Sequence, residues 1–135
     1  MKVLIDTNII LDVLCARVNF WQVAAQVWKL CEINRVEGYI SALSIPNIVY
    51  ILRKELTPAK TQQVIEQLLL IFRAADLRAD DLLKAARMQT PDFEDALQMV
   101  CAMRLKADYI VTRNIKDFQN SKIQPVLPTD FLKII

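Results

Sequence analysis

The sequence predicts an α/β domain, a mostly parallel sheet with helices on both faces, and three observations carry that reading. The run Val3-Leu4-Ile5 is unbroken in apolar character and stops at an acid, Asp6, as a strand covered on both faces does when it reaches the edge of its sheet. A second run, Tyr109-Ile110-Val111-Thr112, has the same form and stops at Arg113-Asn114. Around these runs, segments with helical spacing alternate with short β-like ones, the order of linked strand-helix units. At 135 residues and 54% hydrophobic content the chain fits one domain, residues 1–135, with enough apolar material for a core without disulfides or a structural metal.

The first strand passes directly into a helix carrying Ile9, Ile10, Leu11, Val13 and Leu14, for which Thr7 or Asn8 would serve as cap. From Phe20 to Asn34, the residues Trp21, Ala24, Ala25, Val27, Trp28, Leu30 and Cys31 recur at helical spacing, and Asn34 suits the end. Gly38 punctuates the chain before a second strand, Tyr39-Ile40-Ser41. Ser44 as cap and Pro46 in the first turn open a helix expected to reach about Leu56. Thr57-Pro58 repeats that start for a helix with Val64, Ile65, Leu68, Leu69, Ile71 and Phe72 on its apolar face. A weak third strand is expected over Ala74–Leu77, then a short helix from Ala79 to Met88. Pro91-Asp92 starts a helix with the stripe Phe93, Ala96, Leu97, Val100, Cys101 and Leu105. A last strand near Pro125–Leu127 leads to a terminal helix from Thr129.

Two absences narrow the chemistry. Without any histidine, serine–histidine and cysteine–histidine catalysis and every histidine-containing metal site are excluded. With Gly38 as the one glycine, neither a phosphate-cradling loop nor a dinucleotide turn can be built. Cys15, Cys31 and Cys101 lack paired spacing and read as reduced core thiols. No apolar run approaches membrane-spanning length and no secretion signal is evident, so the expected setting is cytoplasmic, away from membranes. A net charge of +2 leaves room for a basic rim around an acidic pocket.

In a right-handed parallel sheet the carboxyl ends of all strands lie on one side, so Asp6, Thr112 and Asn114 can meet there, joined by Asp95 from its helix. Hard cations take oxygen ligands, one or two carboxylates with waters retained, and Asp6, Asp95 and Asp117 could supply them. Each acid except Asp6 also has a plain structural reading. Asp92 and Asp95 form an N-cap and N3 pair, stabilising by roughly 0.5 to 2 kcal/mol, and taken alone this is the stronger reading. Glu94 reads as solvated, Asp117 as a turn residue, and Asn114 as holder of a left-handed backbone conformation. An acid ending a doubly covered strand is costly unless paired or liganded, which favours function at Asp6.

The motifs Ile5-Asp6-Thr7-Asn8, Asp92-Phe93-Glu94-Asp95-Ala96-Leu97, Ala107–Asn114 and Lys116-Asp117-Phe118 stand in an order and spacing that resemble the PIN-domain family. The resemblance covers nearly the whole chain, including Val126-Leu127-Pro128-Thr129 at its end. It implies a three-layer α/β/α sandwich around a parallel sheet of about five strands, and a Mg²⁺- or Mn²⁺-dependent endoribonuclease for single-stranded RNA. It further implies a toxin of the VapC type, partnered by an antitoxin that blocks the site. By the resemblance the metal ligands are Asp6, Asp95 and Asp117, with Asn8, Thr112 and Asn114 orienting water or phosphate. Two positions depart from the pattern, Asn47 and Asn114 standing where the family usually has acids. Each removes a negative charge, so one weakly held metal is expected rather than two, with Asp92 or Glu94 compensating.

Three functions compete at this point. The first is the nuclease, with Arg113, Lys116, Arg53 and Lys54 rimming the groove or simply solvated. The second is a degenerate member that binds RNA or a protein without cleavage, motivated by Asn47 and Asn114. The third, an aspartyl-phosphate phosphatase or receiver domain, fits poorly: the phosphatase needs an acid where the chain has Asn8, and the receiver an acceptor aspartate after its middle strand. The apolar helices around Leu52 and Leu68–Phe72 either pack on the sheet or serve a homodimer.

Overall fold

The computed structural model describes residues 1–135. Five strands, β1 (Lys2–Ile5), β2 (Glu37–Ser41), β3 (Arg73–Ala75), β4 (Tyr109–Val111) and β5 (Gln124–Val126), form one sheet in the order β3-β2-β1-β4-β5. Every pairing is parallel, and β1 is central, with Leu4 opposite Tyr39 on one side and Ile110 on the other. The helices are α1 (Thr7–Leu14), α2 (Trp21–Glu32), α3 (Ser44–Leu52), α4 (Pro58–Ile71), α5 (Ala79–Met88), α6 (Phe93–Leu105) and α7 (Pro128–Ile134). A 3-10 turn, Ile115–Phe118, follows β4. No helix is long and apolar enough to cross a membrane.

Alternation along each strand decides which layer a side chain joins. Val3, Ile5 and Val111 enter the larger core, with Ile10 of α1, Val27 of α2, Ile48 of α3, Leu68 of α4 and Phe131 of α7. Leu4 and Ile110 face the other way, against Met99 and Ala102 of α6 and Phe118 of the 3-10 turn. The expected three-layer sandwich around a five-stranded parallel sheet is therefore the observed one. Leu52, Leu68 and Phe72 are buried in this core, whereas Leu69 and Leu70 are exposed.

The chain steps outward from β1 through β2 to β3, then returns to lay β4 and β5 on the opposite side. Such a reversal opens a crevice beyond the carboxyl ends of the two diverging strands, here β1 and β4.

Several boundaries differ from expectation, each because a tertiary contact takes over a local signal. Asp6, not Thr7 or Asn8, is the N-cap of α1, and it makes no side-chain capping bond because its carboxylate is engaged elsewhere. Ser44 is the first residue of α3 rather than its cap, and its Oγ lies 2.6 Å from Thr7 Oγ1, tying α3 to α1. That helix ends at Leu52, short of Leu56, and a turn follows. The third strand is Arg73–Ala75 rather than Ala74–Leu77, since Arg104 holds both the Asp76 carbonyl and its carboxylate. The second strand already includes Glu37 and Gly38, so Gly38 lies within a strand and not in a turn. The second helix stops at Glu32, with Asn34 left-handed beyond it at φ 60°, and α7 begins at Pro128 rather than Thr129. The cysteines are unpaired, and burial pushes the Cys31 and Cys101 thiols up to about 12 and about 11.

Candidate functional site

The abrupt end of β1 leaves the Asp6 side chain 4% exposed, at the foot of the crevice. Its carboxylate accepts from Gln98 Nε2 of α6 at 2.9 Å and from Thr112 Oγ1, just past β4, at 2.8 Å. Thr112 Oγ1 in turn accepts from the backbone N–H of Asn114 at 3.0 Å. Burial raises the Asp6 carboxyl above the ordinary carboxylate range, while the Gln98 and Thr112 hydrogen bonds and the charge of Arg113 pull it back.

The first turn of α6 brings the other acids. Asp92 is the N-cap, its Oδ1 accepting from the N–H groups of Glu94 at 2.9 Å and Asp95 at 3.2 Å. The capping reading thus holds for Asp92, whereas the Asp95 side chain is left to the crevice. Burial, reinforced by the charges of Asp92, Asp6, Asp117 and Glu94, pushes the Asp95 carboxyl up to about 7.

A cleft of about 410 Å³ collects these groups. Asp6, Asn8, Asp95, Asn114 and Asp117 line it together, with Asn47, Asp92, Glu94 and Gln98. Thr112 is wholly buried beneath it, reaching the cleft through its hydrogen bonds to Asp6 and to the Asn114 backbone. Asn114 is not left-handed: at φ −115° and ψ 63° it precedes the 3-10 turn that carries Asp117. Asn47 Nδ2 donates to Glu94 Oε2 at 3.2 Å, so a carboxylate does stand beside the position where the charge is missing. The Asn8 Oδ1 accepts from Arg17 at 3.1 Å, which leaves the Asn8 amide N–H groups for the cleft.

The basic rim is smaller than expected. Arg113 is committed to Asp12 through two bonds, Nε donating to Oδ2 at 2.8 Å and Nη2 to Oδ1 at 3.0 Å, and it lies over the Phe20 ring. Arg53 stacks on Tyr50, and neither it nor Lys54 lines the cleft. Lys116 is exposed beside Asp117 in an adjoining hollow.

Two supporting groups escape a reading by motif. Asp12, 1% exposed, holds both Arg113 and Arg17, and its only local sign is an acid set among Ile9, Ile10, Leu11, Val13 and Leu14. Gln98 sits in an almost fully buried stretch of α6 and is a polar break in an apolar helix.

The donor set is entirely oxygen, the kind that a hard cation takes. No three acidic or thiol groups converge closely enough to form a ready-made cluster, so a cation here would keep waters and touch one or two carboxylates directly. Two further features agree with a cation. Asp95 lacks a compensating positive partner among its neighbours, and Gln98 Oε1 is buried with no hydrogen-bond donor.

The solved structures similar to this fold include VapBC-1 from nontypeable Haemophilus influenzae, with a TM-score of 0.73 at 19% identity, covering 96% of this chain and 99% of that one. A toxin-antitoxin complex from Klebsiella pneumoniae gives a TM-score of 0.71 at 21% identity over 93% of this chain and 97% of that one. VapBC2 from Rickettsia felis, bound to a DNA fragment from its promoter, gives 0.68 at 18% identity over 94% and 98%. At these identities the likeness is one of fold. No curated protein matches the chain. A family model described as PIN domain matches residues 2–116, from β1 to the residue before Asp117, and the chain therefore belongs to the PIN-domain family.

Proposed function

We propose that this protein is a metal-dependent endoribonuclease acting on single-stranded RNA, the toxin of a toxin-antitoxin pair. The observation that carries the reading is the gathering of Asp6, Asp95 and Asp117 with Asn8 and Asn114 around one open cleft at the strand-order reversal. Asp6, Asp95 and Asp117 are the proposed ligands of Mg²⁺ or Mn²⁺, with Glu94 supplying the charge that Asn47 lacks. When bound, such a cation polarises a phosphoryl oxygen and acidifies its water, chemistry that a chain without histidine cannot obtain from imidazole.

The chain's own groups prepare the cleft for a phosphodiester. Thr112 and Gln98 fix the Asp6 carboxylate by donating one hydrogen bond to each oxygen. Asn8, with its oxygen held by Arg17, offers N–H donors to a phosphate oxygen. Asn114 orients water or phosphate, and Lys116 contacts the backbone beyond.

The named toxin-antitoxin neighbours support a protein antitoxin as partner, at the level of fold. Exposed Leu69 and Leu70 on α4 support a homodimer. Buried thiols without disulfides agree with a cytoplasmic setting.

The test is cleavage of a single-stranded and a structured RNA by purified protein in Mg²⁺, Mn²⁺ or chelator, beside Asp6→Ala and Asp95→Ala. Metal-dependent cleavage of the single strand, reduced at least about 100-fold in both variants, is expected, since even supporting groups around a metal change activity by about 10- to 100-fold. A second reading, a family member that binds without cutting, is favoured by the amides Asn47 and Asn114 in the cleft lining. Cleavage at the variants' background level would favour it, and the double substitution Asn47→Glu with Asn114→Asp would then test whether the two missing charges are the reason.

A further inference from the structure

The acid cleft does not end at Asp95 and Asp117. A second hollow, of about 280 Å³, shares Asp92, Asp95 and Asp117 with it and adds Lys116. A third, of about 370 Å³, shares Met99 and Asn120 with the second, so the three hollows adjoin one another beside α6. The character of the surface changes across them, from carboxylates and amides to an exposed thioether, Met103, backed by half-buried Met88 and buried Met99, with Lys84 and Lys122 beside it. Both lysines are exposed, and neither they nor Lys116 makes an ion pair.

An apolar shelf flanked by free cations, adjoining a site for a phosphodiester, matches a polyanion that carries a flat apolar group between successive charges. Single-stranded nucleic acid is such a ligand: cations follow its backbone while its bases lie on polarisable surfaces. Methionine is suited to that second task because its thioether is soft, adaptable and attracted to aromatic rings. We infer that the shelf of Met103 and Met88, with Lys84 and Lys122, is a binding subsite for a nucleotide flanking the scissile phosphate of single-stranded RNA. The inference rests on reading the acid cleft as the place where the strand is cut.

Binding in chelator separates the two readings, because turnover is then absent. A fluorescein-labelled oligouridine of about 12 nucleotides, within the length that small single-strand sites occupy, is titrated at several salt concentrations. The proteins compared are the wild type, Lys84→Gln/Lys122→Gln, Met103→Ser and a control, Lys60→Gln/Lys133→Gln. The double-lysine variant is expected to bind about tenfold more weakly, and its salt dependence to flatten by about 1.4 in the log–log slope, since each lost phosphate contact on a single strand contributes about 0.7. Met103→Ser weakens binding with the slope unchanged, and the control binds as the wild type does. An oligonucleotide carrying 4-thiouridine should crosslink to peptides containing Met103 or Met88.

Wild-type affinity and slope in the double-lysine variant, crosslinks elsewhere, or no binding by the wild type would each overturn the subsite. If the variant weakens binding while no RNA is cut in Mg²⁺ or Mn²⁺, the shelf stands as a nucleic-acid binding site, and its place beside a scissile phosphate falls with the nuclease reading. If RNA is cut and the variant binds normally, the nuclease reading stands and the shelf falls. A thermal melt of each variant matching the wild type excludes misfolding as the cause, because all five substituted side chains are exposed.

Discussion

Asp95 concentrates the electrostatics of the cleft in one carboxyl, held near 7 by burial and by four neighbouring acids. Its pKa in the unfolded chain is about 3.9, so between about pH 4 and about pH 7 the folded state binds the extra proton and the unfolded state does not. As far as this group is concerned, the metal-free protein should therefore be most stable at and below about pH 4 and lose that contribution as the pH rises from there through about 7. Asp95→Asn removes the repulsion. At pH 8 it should stabilise the fold by about 1 kcal/mol, a figure reduced for the partial solvent access of the group, with no gain at pH 4. Urea unfolding at the two pH values reads the difference, and an effect of the same size at both would refute this origin. The acid itself was legible in the sequence. Its supporter Gln98 was not, because a single polar residue on a buried helical face has no spacing pattern to mark it.

Gly38 shows how an element acquires a residue that local signals misassign. Read alone, one glycine after a helix suggests a turn, yet it lies inside β2 with an ordinary negative φ. What selects glycine is the approach of two other elements: an added Cβ would stand 2.5 Å from Cys31 Sγ of α2 and 2.9 Å from Phe72 at the end of α4. Gly38→Ala should then destabilise by about 1 to 3 kcal/mol, the usual range for overpacking, despite alanine's smaller backbone entropy loss. Thermal unfolding tests it, and a neutral or higher melting temperature would mean that α2 and α4 yield without strain. Helix ends followed the same logic. Thr57 caps α4 and Asp92 caps α6 as local rules dictate, because both side chains are free to turn onto their own backbones. Asp6 and Ser44 are not, since Gln98 and Thr112 engage one and Thr7 the other.

At the scale of the molecule, the Asp12 clamp joins the two ends of the sequence. From α1 it holds Arg113, one hundred and one positions later, and Arg17, which in turn fixes Asn8. The clamp commits the Arg113 hydrogen bonds to Asp12, so that Arg113 acts on Asp6 through its charge alone. Asp12→Ala leaves two partly shielded guanidinium groups without their shared partner. The expected cost is about 3 kcal/mol, at the low end for a broken buried pair because both arginines keep some solvent access. Denaturant unfolding measures it, and a loss below about 0.5 kcal/mol, the scatter of ordinary surface substitutions, would show the clamp to be dispensable.

Sequence by itself determined the fold class, the order of strands and helices along the chain and the identity of the acids. Apolar runs that stop at Asp6 and at Thr112 have one geometric meaning in a parallel sheet, and the fold obeys it. Periodicity also placed Asp95 off the core stripe of its helix, free for the cleft. Tertiary structure alone decided which cations belong to the site and which belong to the scaffold. Arg113 was indistinguishable from Lys116 in the sequence, and the difference lies in Asp12, buried a hundred residues away. It also decided that Glu94 stands beside Asn47, and that a methionine shelf adjoins the acidic hollows. The reason is physical: burial and periodicity are properties of neighbouring residues, whereas pairing of charges across a sheet depends on strand order, which no local pattern encodes.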